Sequence, residues 1–154
     1  LGIDPGLSGA GAIVDDDGSL LSVFDMPTMG EKTRKRIDAS LVSRLIREIG
    51  PSLAIIEDVH SMPGQGLSST FSFGRSAGVV DGVLAALEVP VRFVDPRAWK
   101  KAYRLSASKE DSRRAAIEMW PKHAHLFERA KDHGRAEAAL IARWGVMRPQ
   151  VGGR

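Results

Sequence analysis

The chain of 154 residues contains no cysteine. This absence excludes disulfide bonds, cysteine-ligated zinc and thiol nucleophiles together, and it fits a reducing compartment. The chain also has no long hydrophobic run, since none approaches the roughly 20 residues that a membrane-spanning helix needs. No signal peptide is recognisable. Because the chain begins at Leu1 rather than Met, we expect that some residues precede it.

What remains is the composition of an ordinary globular protein. Hydrophobic residues make up 43% of the chain and charged residues 27%, and this length is enough for one domain with a substantial core. The sequence has neither internal repeats nor a recognisable linker. We therefore expect a single domain over residues 1–148 and a flexible tail over residues 149–154.

The net charge of +3 is small, but the cationic residues are clustered. Clustered cations with interleaved aromatic residues are typical of a surface that binds a nucleic-acid backbone. The alternative is that these residues lie on solvated helix faces. The clusters are Arg34, Lys35 and Arg36; Arg97, Lys100, Lys101 and Arg104, with Trp99 and Tyr103 between them; and Lys109, Arg113 and Arg114.

Hydrophobic patterning predicts an α/β fold. Three short strands around an acidic turn at residues 15–18 favour an antiparallel meander, and two buried strands that alternate with helices favour parallel positions. The pattern therefore predicts a five-stranded mixed sheet with helices on both faces. The expected strands cover residues 1–3, 9–14, 20–26, 53–56 and 91–94, and the expected helices cover 38–49, 70–87, 96–103, 108–120 and 130–144, with a Gly/Ser-rich loop over 61–69.

The first strand runs directly into an acidic residue, Asp4. Pro5 cannot donate to a sheet ladder, so the strand should end there and leave Asp4 at its edge. Three nearby glycines would let the backbone approach a ligand closely. Asp4 is therefore either a ligand to a metal or phosphate or a residue that caps a turn. The glycines are Gly6, Gly9 and Gly11.

Glu57 follows a buried apolar strand in the same way. Ligands of open α/β sheets gather outside the carboxyl ends of the strands, so neighbouring strands would bring Asp4 and Glu57 to one edge. Two close carboxylates repel each other, which indicates a cation between them. Oxygen ligands alone favour a hard ion such as Mg²⁺ or Mn²⁺.

The last helix offers further candidate ligands. Glu137 lies in an apolar run, where a charge is costly to bury unless it is paired or bound to metal, and His133 shares its helix face. Asp132 stands at the helix start. The alternatives are a solvent-facing Glu137 and an Asp132 that caps the helix. Carboxylates from three segments could hold two ions about 3.5–4 Å apart, which would activate a water and stabilise the leaving oxygen of a phosphodiester.

Four motifs in this order resemble the RuvC Holliday junction resolvases of the ribonuclease H-like superfamily, and most closely their phage and chloroplast branch. The resemblance covers residues 1–145 and implies the ribonuclease H-like fold. The motifs are Gly2-Ile3-Asp4-Pro5-Gly6, Ile55-Ile56-Glu57, Phe73-Gly74-Arg75-Ser76-Ala77-Gly78 and Ala136-Glu137-Ala138.

The resemblance implies a homodimer that makes paired symmetric nicks in four-way DNA junctions. It also implies two Mg²⁺ (or Mn²⁺) ions per active site and a cytoplasmic, nucleoid-associated protein of a bacterial or phage-infected cell. Asp4, Glu57 and Glu137 match three of the four family acids. The family's remaining acid stands three residues before Glu137, where this chain has Gly134, so we assign the role to Asp132, with His133 as second choice.

The resemblance also assigns the region after Glu57 to the junction centre and the dimer interface. Phe71 and Phe73 could stack on a base or pack in the core, and Trp99 is expected in the core. Glycines at 74, 78 and 82 would allow close approach to a partner helix or to the sheet. The expected DNA contacts are Ser68, Ser69, Thr70, Phe71, Phe73, Arg75, Lys100, Lys101 and Lys109.

Other functions share parts of this pattern. A YqgF-like or other ribonuclease H-like nuclease would act on RNA or branched DNA. A non-catalytic junction binder would gain nothing by presenting carboxylates to phosphates. Sugar-kinase, actin and Hsp70-like ATPases also begin with a Gly-Ile-Asp-x-Gly turn, but they need two such lobes and a longer chain.

Overall fold

The computed structural model describes residues 1–31, 34–58, 60, 64 and 66–148. The flexible tail expected over 149–154 and part of the expected loop over 61–69 lie outside these ranges. The described elements are β1 (Gly2–Asp4), β2 (Ala10–Val14), β3 (Leu20–Asp25), β4 (Thr28–Met29), β5 (Arg36–Ile37), α1 (Ala39–Ile49), β6 (Ala54–Glu57), α2 (Leu67–Ala86), β7 (Val91–Val94), α3 (Pro96–Ala102), α4 (Lys109–Met119), two 3₁₀ helices (Pro121–Leu126 and Ala130–Asp132) and α5 (His133–Val146).

Five strands form one mixed sheet in the order β3-β2-β1-β6-β7. The first three strands are antiparallel, and β6 and β7 add to β1 in parallel. This arrangement confirms the predicted meander followed by parallel strands. The acidic turn also lies where it was expected, and Gly18 adopts a positive φ of 85° there, a conformation that glycine adopts without steric cost.

Helices cover both faces of the sheet, as predicted. One face packs against α3, α4 and α5 through a core that includes Ile55, Trp99 and Leu140. The other face packs against α1 and α2 through a core that includes Ile3 and Val80. Because successive strand residues point to opposite faces, the residues before and after Ile3 face α5.

Helix α5 approaches the sheet closely at Gly2. A Cβ atom built on Gly2 would stand 2.2 Å from the carbonyl oxygen of Ala138 and 2.4 Å from the backbone nitrogen of Ala142. Both contacts are with the backbone of α5, which cannot give way as a flexible side chain can. The absent side chain therefore sets how near α5 lies to β1.

Three local features differ from the sequence-based expectation. Helix α2 begins at Leu67 rather than at residue 70, because Gly66 caps it without a side-chain signal. The β4–β5 hairpin was not predicted, since its two-residue strands are too short to show alternation. The last helix was expected to begin at Ala130, but residues Ala130–Asp132 form a 3₁₀ turn before α5 starts.

Among the helices that the structure describes, none is long and apolar enough to cross a membrane.

Candidate active site

Asp4 and Glu57 lie side by side at the carboxyl edge of the sheet. Ile3 of β1 is paired in parallel with Ile56 of β6. The residues that follow them, Asp4 and Glu57, are therefore adjacent across the two strands. Both carboxylates extend from the sheet face that carries α5, because Gly2 and Ile55 on that face are two residues earlier in each strand. The two strand ends therefore meet as predicted.

Glu137 reaches the same edge from α5. Its side chain is 8% exposed, and its Oε1 accepts a hydrogen bond of 3.3 Å from the hydroxyl of Ser112 in α4. The ammonium of Lys100 stands 3.3 Å from the same oxygen. The charge of Glu137 acts on both Asp4 and Glu57, so the three acids lie near one another at this edge of the sheet, and we call them the carboxylate cluster.

The acids of this cluster hold protons more tightly than isolated acids do. Burial, together with the negative charge of Glu137, raises the pKa of Asp4 to about 6. Burial raises the pKa of Glu57 to about 7, and the charges of Asp4 and Glu137 act in the same direction. Shifts of this kind are frequent where acids serve chemistry. Burial is the largest cause of both shifts, so these carboxylates lose more hydration than the neighbouring donors and cations replace.

Cations and donors around the cluster offset part of this charge. Trp99 donates its indole N–H to Oε1 of Glu57 at 3.0 Å, and the ammonium of Lys100 lies 5.1 Å from the Trp99 ring centroid. Lys100 and Lys109 both lower the pKa of Asp4. Trp99 is fully buried, as expected, but it also holds a site carboxylate.

Sequence reasoning missed the part that Ser112 and Trp99 play in the site. Ser112 is fully buried in α4, three residues after Lys109, and this spacing places both on one helix face. The spacing from Lys109 could be detected in the sequence. The structure adds that Ser112 is buried, and a buried serine needs a hydrogen-bond partner. The signal for Trp99 was weaker, since a tryptophan beside two lysines also fits a packed core.

The donor set of the cluster suits a hard divalent cation. Asp4, Glu57 and Glu137 supply only oxygen ligands, and a divalent cation would stabilise the charged form of these buried carboxylates. Among the residues that the structure describes, no three acid or histidine side chains are close enough to form a ready-made metal site. The ammonium of Lys100 stands beside Glu137 instead. The cluster therefore suits a divalent cation in the type of its ligands and in its position at the sheet edge.

The glycines near Asp4 do not serve the purpose that was expected of them. A Cβ on Gly9 would lie 2.1 Å from the carbonyl oxygen of Asp4, and one on Gly11 would lie 2.1 Å from the Phe24 ring. Both glycines therefore allow the chain to pack on itself rather than to approach a ligand. Only Gly6 borders the carboxylate, and its N–H donates to Oδ1 of Asp4 at 3.2 Å.

The fourth acid position differs most from the expectation. A Cβ on Gly134 would lie 2.5 Å from the carbonyl oxygen of Ser8, so no side chain fits there with this backbone. Asp132, our first choice, is not brought to the cluster. Its carboxylate binds Arg129, at 2.9 Å from the backbone N–H and 2.9 Å from Nη2, and lies 3.9 Å from Arg135.

The physical reason is that Asp132 closes the 3₁₀ turn that precedes α5. It accepts from the backbone N–H of Arg129 at the start of that turn, as the third residue of a capping box does. Burial would raise the pKa of Asp132, but the hydrogen bonds and charge of Arg129 hold it below its usual value. Arg135 also binds Asp25 at 2.6 and 2.7 Å, so this network joins the end of β3 to the start of α5.

His133, the second choice, lies at the margin of the site. Its Nε2 is 3.2 Å from the ammonium of Lys109, and its Nδ1 is 3.3 Å from the carbonyl oxygen of Ala130. An ammonium can only donate, so Nε2 accepts and Nδ1 donates. His133 thereby connects to Asp4 through Lys109, whose charge acts on that carboxylate.

The expected DNA contacts fall into two groups. Lys100 is in the carboxylate cluster and Lys109 at its margin, while Lys101 is exposed beside them. The others lie on the first three turns of α2, where Phe71 is 73% exposed and Phe73 approaches Gly6. In this group Ser68, Ser69 and Arg75 are also exposed, and Thr70 is half-buried.

The glycine stripe of α2 does not face the sheet. A Cβ on Gly74, Gly78 or Gly82 would meet nothing within 4 Å among the described atoms. All three glycines are exposed. The alternative that the stripe packs against the sheet is therefore wrong, and its use as a partner surface stays a prediction.

The raised pKa values predict how the stability of the metal-free protein depends on pH. The folded protein binds protons at Asp4 and Glu57 that the unfolded chain releases near its ordinary pKa of about 4. Unfolding therefore becomes easier as pH rises from about 4 to about 7, and the effect levels off above that. In a chelator, we expect a lower melting temperature at about pH 8 than at about pH 5.

The double variant Asp4→Asn/Glu57→Gln is the matched control for this effect. Asn and Gln do not titrate, so the double variant should lose most of the fall in melting temperature. A melting temperature of the unaltered protein that stays constant or rises over this range would contradict the prediction.

The sheet order and the helices on both faces give this chain the ribonuclease H-like fold that RuvC has. The structure is similar to that of T. thermophilus RuvC in complex with a Holliday junction substrate, with a TM-score of 0.66, 20% identity and coverage of 92% of this chain and 88% of the other. It is also similar to a second Thermus thermophilus RuvC structure, with a TM-score of 0.60, 21% identity and coverage of 92% and 89%.

No family model and no curated protein matches the sequence. The likeness to RuvC is therefore a likeness of fold, and it confirms at that level the resemblance carried by the four motifs.

Proposed function

We propose that this chain is a metal-dependent endonuclease that resolves four-way DNA junctions by paired symmetric nicks. The observation that carries the proposal is the cluster of Asp4, Glu57 and Glu137 at the carboxyl edge of β1 and β6, in a fold shared with RuvC. A protein that only bound DNA would gain nothing from three acids facing a phosphate. Three buried carboxylates at one edge of the sheet are a set of oxygen ligands that suits divalent cations.

Asp4, Glu57 and Glu137 would hold Mg²⁺ or Mn²⁺, two ions per site. The bound ions would activate a water and stabilise the leaving oxygen of the phosphodiester. The protein's own groups position this site: Trp99 orients Glu57, and Ser112 orients Glu137. Lys100 and Lys109 offer positive charge to a phosphate at the same edge.

The DNA contacts in this proposal lie along α2, α3 and the start of α4. Phe73 borders Gly6 beside Asp4, so in this proposal its ring would lie near the reacting phosphate. The open face of Gly74, Gly78 and Gly82 would receive a second copy of the chain. A twofold dimer would then present two equivalent sites to the two strands of a junction, in the nucleoid of a bacterial or phage-infected cell.

A panel of three labelled substrates tests the proposal. A four-way junction, a linear duplex and an RNA–DNA hybrid are each incubated with Mg²⁺ or with a chelator. We expect paired symmetric nicks on the junction in Mg²⁺ and none in the chelator. Cleavage of the hybrid in preference to the junction would favour the RNA-acting nuclease, and binding without any cleavage would favour the junction binder.

The variant Asp132→Asn separates a ligand from a structural acid. Because Asp132 is buried and hydrogen-bonded to Arg129, we expect the variant to lose about 1–3 kcal/mol of folding stability. Its nicking rate, measured well below its melting temperature, should stay within roughly threefold of the unaltered protein, because a residue outside the cluster makes no contact with the reacting phosphate.

The exposed Asp16→Asn variant is the control for stability. If Asp132→Asn kept its melting temperature but lost nicking, the sequence-based assignment of Asp132 to the metal would be favoured over the pairing with Arg129.

A further inference from the structure

A basic groove lies between the β4–β5 hairpin and the first half of α2, apart from the carboxylate cluster. It has a volume of about 420 Å³, which is within the range of sites that hold small ligands. The cations Arg34, Lys35 and Arg36 line it from the hairpin side, and Arg75 and Phe71 line it from α2. The groove thus joins two cationic segments that are distant in sequence.

The positive charge of this groove is not neutralised within the described part of the chain. Its described lining contains no carboxylate, and none of its four cations forms a salt bridge there. Other arginines do pair with acids, namely Arg113 with Glu110, Arg114 with Asp111, Arg129 with Asp132 and Arg135 with Asp25. Gathering like charges opposes folding, and an anionic ligand would remove that cost.

Phe71 shows what kind of anion the groove suits. Its ring is 73% exposed among these cations, so one flat face of the ring is available to a ligand. Single-stranded nucleic acids are bound by cations along the backbone together with aromatic rings on which bases stack. An acidic protein segment would use the cations but would give the ring no flat partner.

The position of α2 connects the groove to the candidate active site. Phe73 lies two residues after Phe71, and a two-residue step turns about 200° around a helix, so the two rings point to opposite sides. Phe73 faces Gly6 beside Asp4, while Phe71 faces the groove. A strand leaving the cluster could pass over α2 and enter the groove.

We propose that this groove binds an unpaired segment of the substrate nucleic acid, with Arg34, Lys35, Arg36 and Arg75 on its phosphates and Phe71 stacked on a base. The inference rests on the proposed function for the identity of the substrate. It adds a second contact surface to that substrate, served by the hairpin that lacks any catalytic group.

The binding of a fluorescent oligothymidylate, measured by anisotropy in a chelator, tests the groove. We expect the triple variant Arg34→Gln/Lys35→Gln/Arg36→Gln to bind more weakly and to show a salt dependence whose slope is smaller by about 2, since each phosphate contact on a single strand contributes roughly 0.7. Phe71→Ala should weaken binding by roughly fivefold or more with an unchanged slope, because stacking releases no counterions.

The double variant Arg44→Gln/Arg47→Gln, on the exposed side of α1, removes two charges away from the groove and should leave both affinity and slope unchanged. Binding by all variants is measured at one temperature, well below the lowest of their melting temperatures. Equal affinity of the triple variant and the unaltered protein would overturn the inference. So would a polyglutamate peptide that binds with the same losses in the triple variant and in Phe71→Ala, since that would assign the groove to an acidic protein segment.

Metal-dependent nicking of a junction by the unaltered protein is scored separately. If the unaltered protein nicks the junction and the triple variant binds the oligothymidylate normally, only the proposed role of the groove is overturned. Charge- and Phe71-dependent binding combined with no nicking of any substrate would overturn only the nuclease proposal.

Discussion

Replacing Asp4 with asparagine is expected to reduce junction nicking by on the order of 1000-fold or more. The amide removes the negative charge at the centre of the cluster, where Glu137 and Glu57 also stand. Glu57→Gln should have an effect of the same order, because it removes the neighbouring carboxylate of β6. The measurement is the single-turnover nicking rate of a labelled four-way junction in Mg²⁺.

Both variants should still bind the junction, with an affinity at least equal to that of the unaltered protein in a chelator. A neutral amide repels a phosphate less than a carboxylate does, so a loss of binding is not the reason for the lost cleavage. Asp16→Asn, in the exposed turn between β2 and β3, is the matched control and should nick normally. Unchanged nicking by both Asp4→Asn and Glu57→Gln would overturn the assignment of the active site.

Gly2→Ala is expected to destabilise the protein by about 3 kcal/mol, which is the upper end for an overpacked core. The added methyl would stand 2.2 Å from the carbonyl oxygen of Ala138, so α5 must move away from β1. For a domain of this size the loss corresponds to a fall in melting temperature of roughly 6–12 °C. Thermal unfolding followed by circular dichroism measures it.

The consequence of Gly2→Ala extends to the cluster, because β1 carries Asp4 and α5 carries Glu137. Separating the two elements should slow nicking even in protein that remains folded. The exposed Asp16→Asn variant is the control, and it should keep both its melting temperature and its nicking rate. A melting temperature of Gly2→Ala equal to that of the unaltered protein would show that α5 can move away from β1 without loss of stability.

Hydrophobic pattern and turn chemistry predicted the sheet and the placement of two acids correctly, for a physical reason. The alternation of apolar and polar residues and the turn residues between strands are local signals. A carboxylate that directly follows a buried strand lies at the end of that strand. Asp4 and Glu57 both have this signal. The apolar surroundings of Glu137 likewise indicated a buried charge that needed partners, and the structure supplies Ser112 and Lys100.

The features that sequence did not predict depend on contacts between distant segments. Nothing local distinguishes an aspartate that binds metal from one that binds an arginine three residues earlier, and Asp132 is of the second kind in this structure. The glycines near Asp4 were interpreted as room for a ligand, whereas Gly9 and Gly11 are there because Asp4 and Phe24 occupy the space. Absent side chains look the same in a sequence whichever neighbour requires their absence.

Lys100 gives the protein an internal counterion. Because its ammonium already faces Glu137, the three acids can be assembled during synthesis without an external ion to hold them together. If the proposed function holds, folding and metal loading would then be separate events. The proposed nuclease would need a divalent ion for cleavage but not for folding.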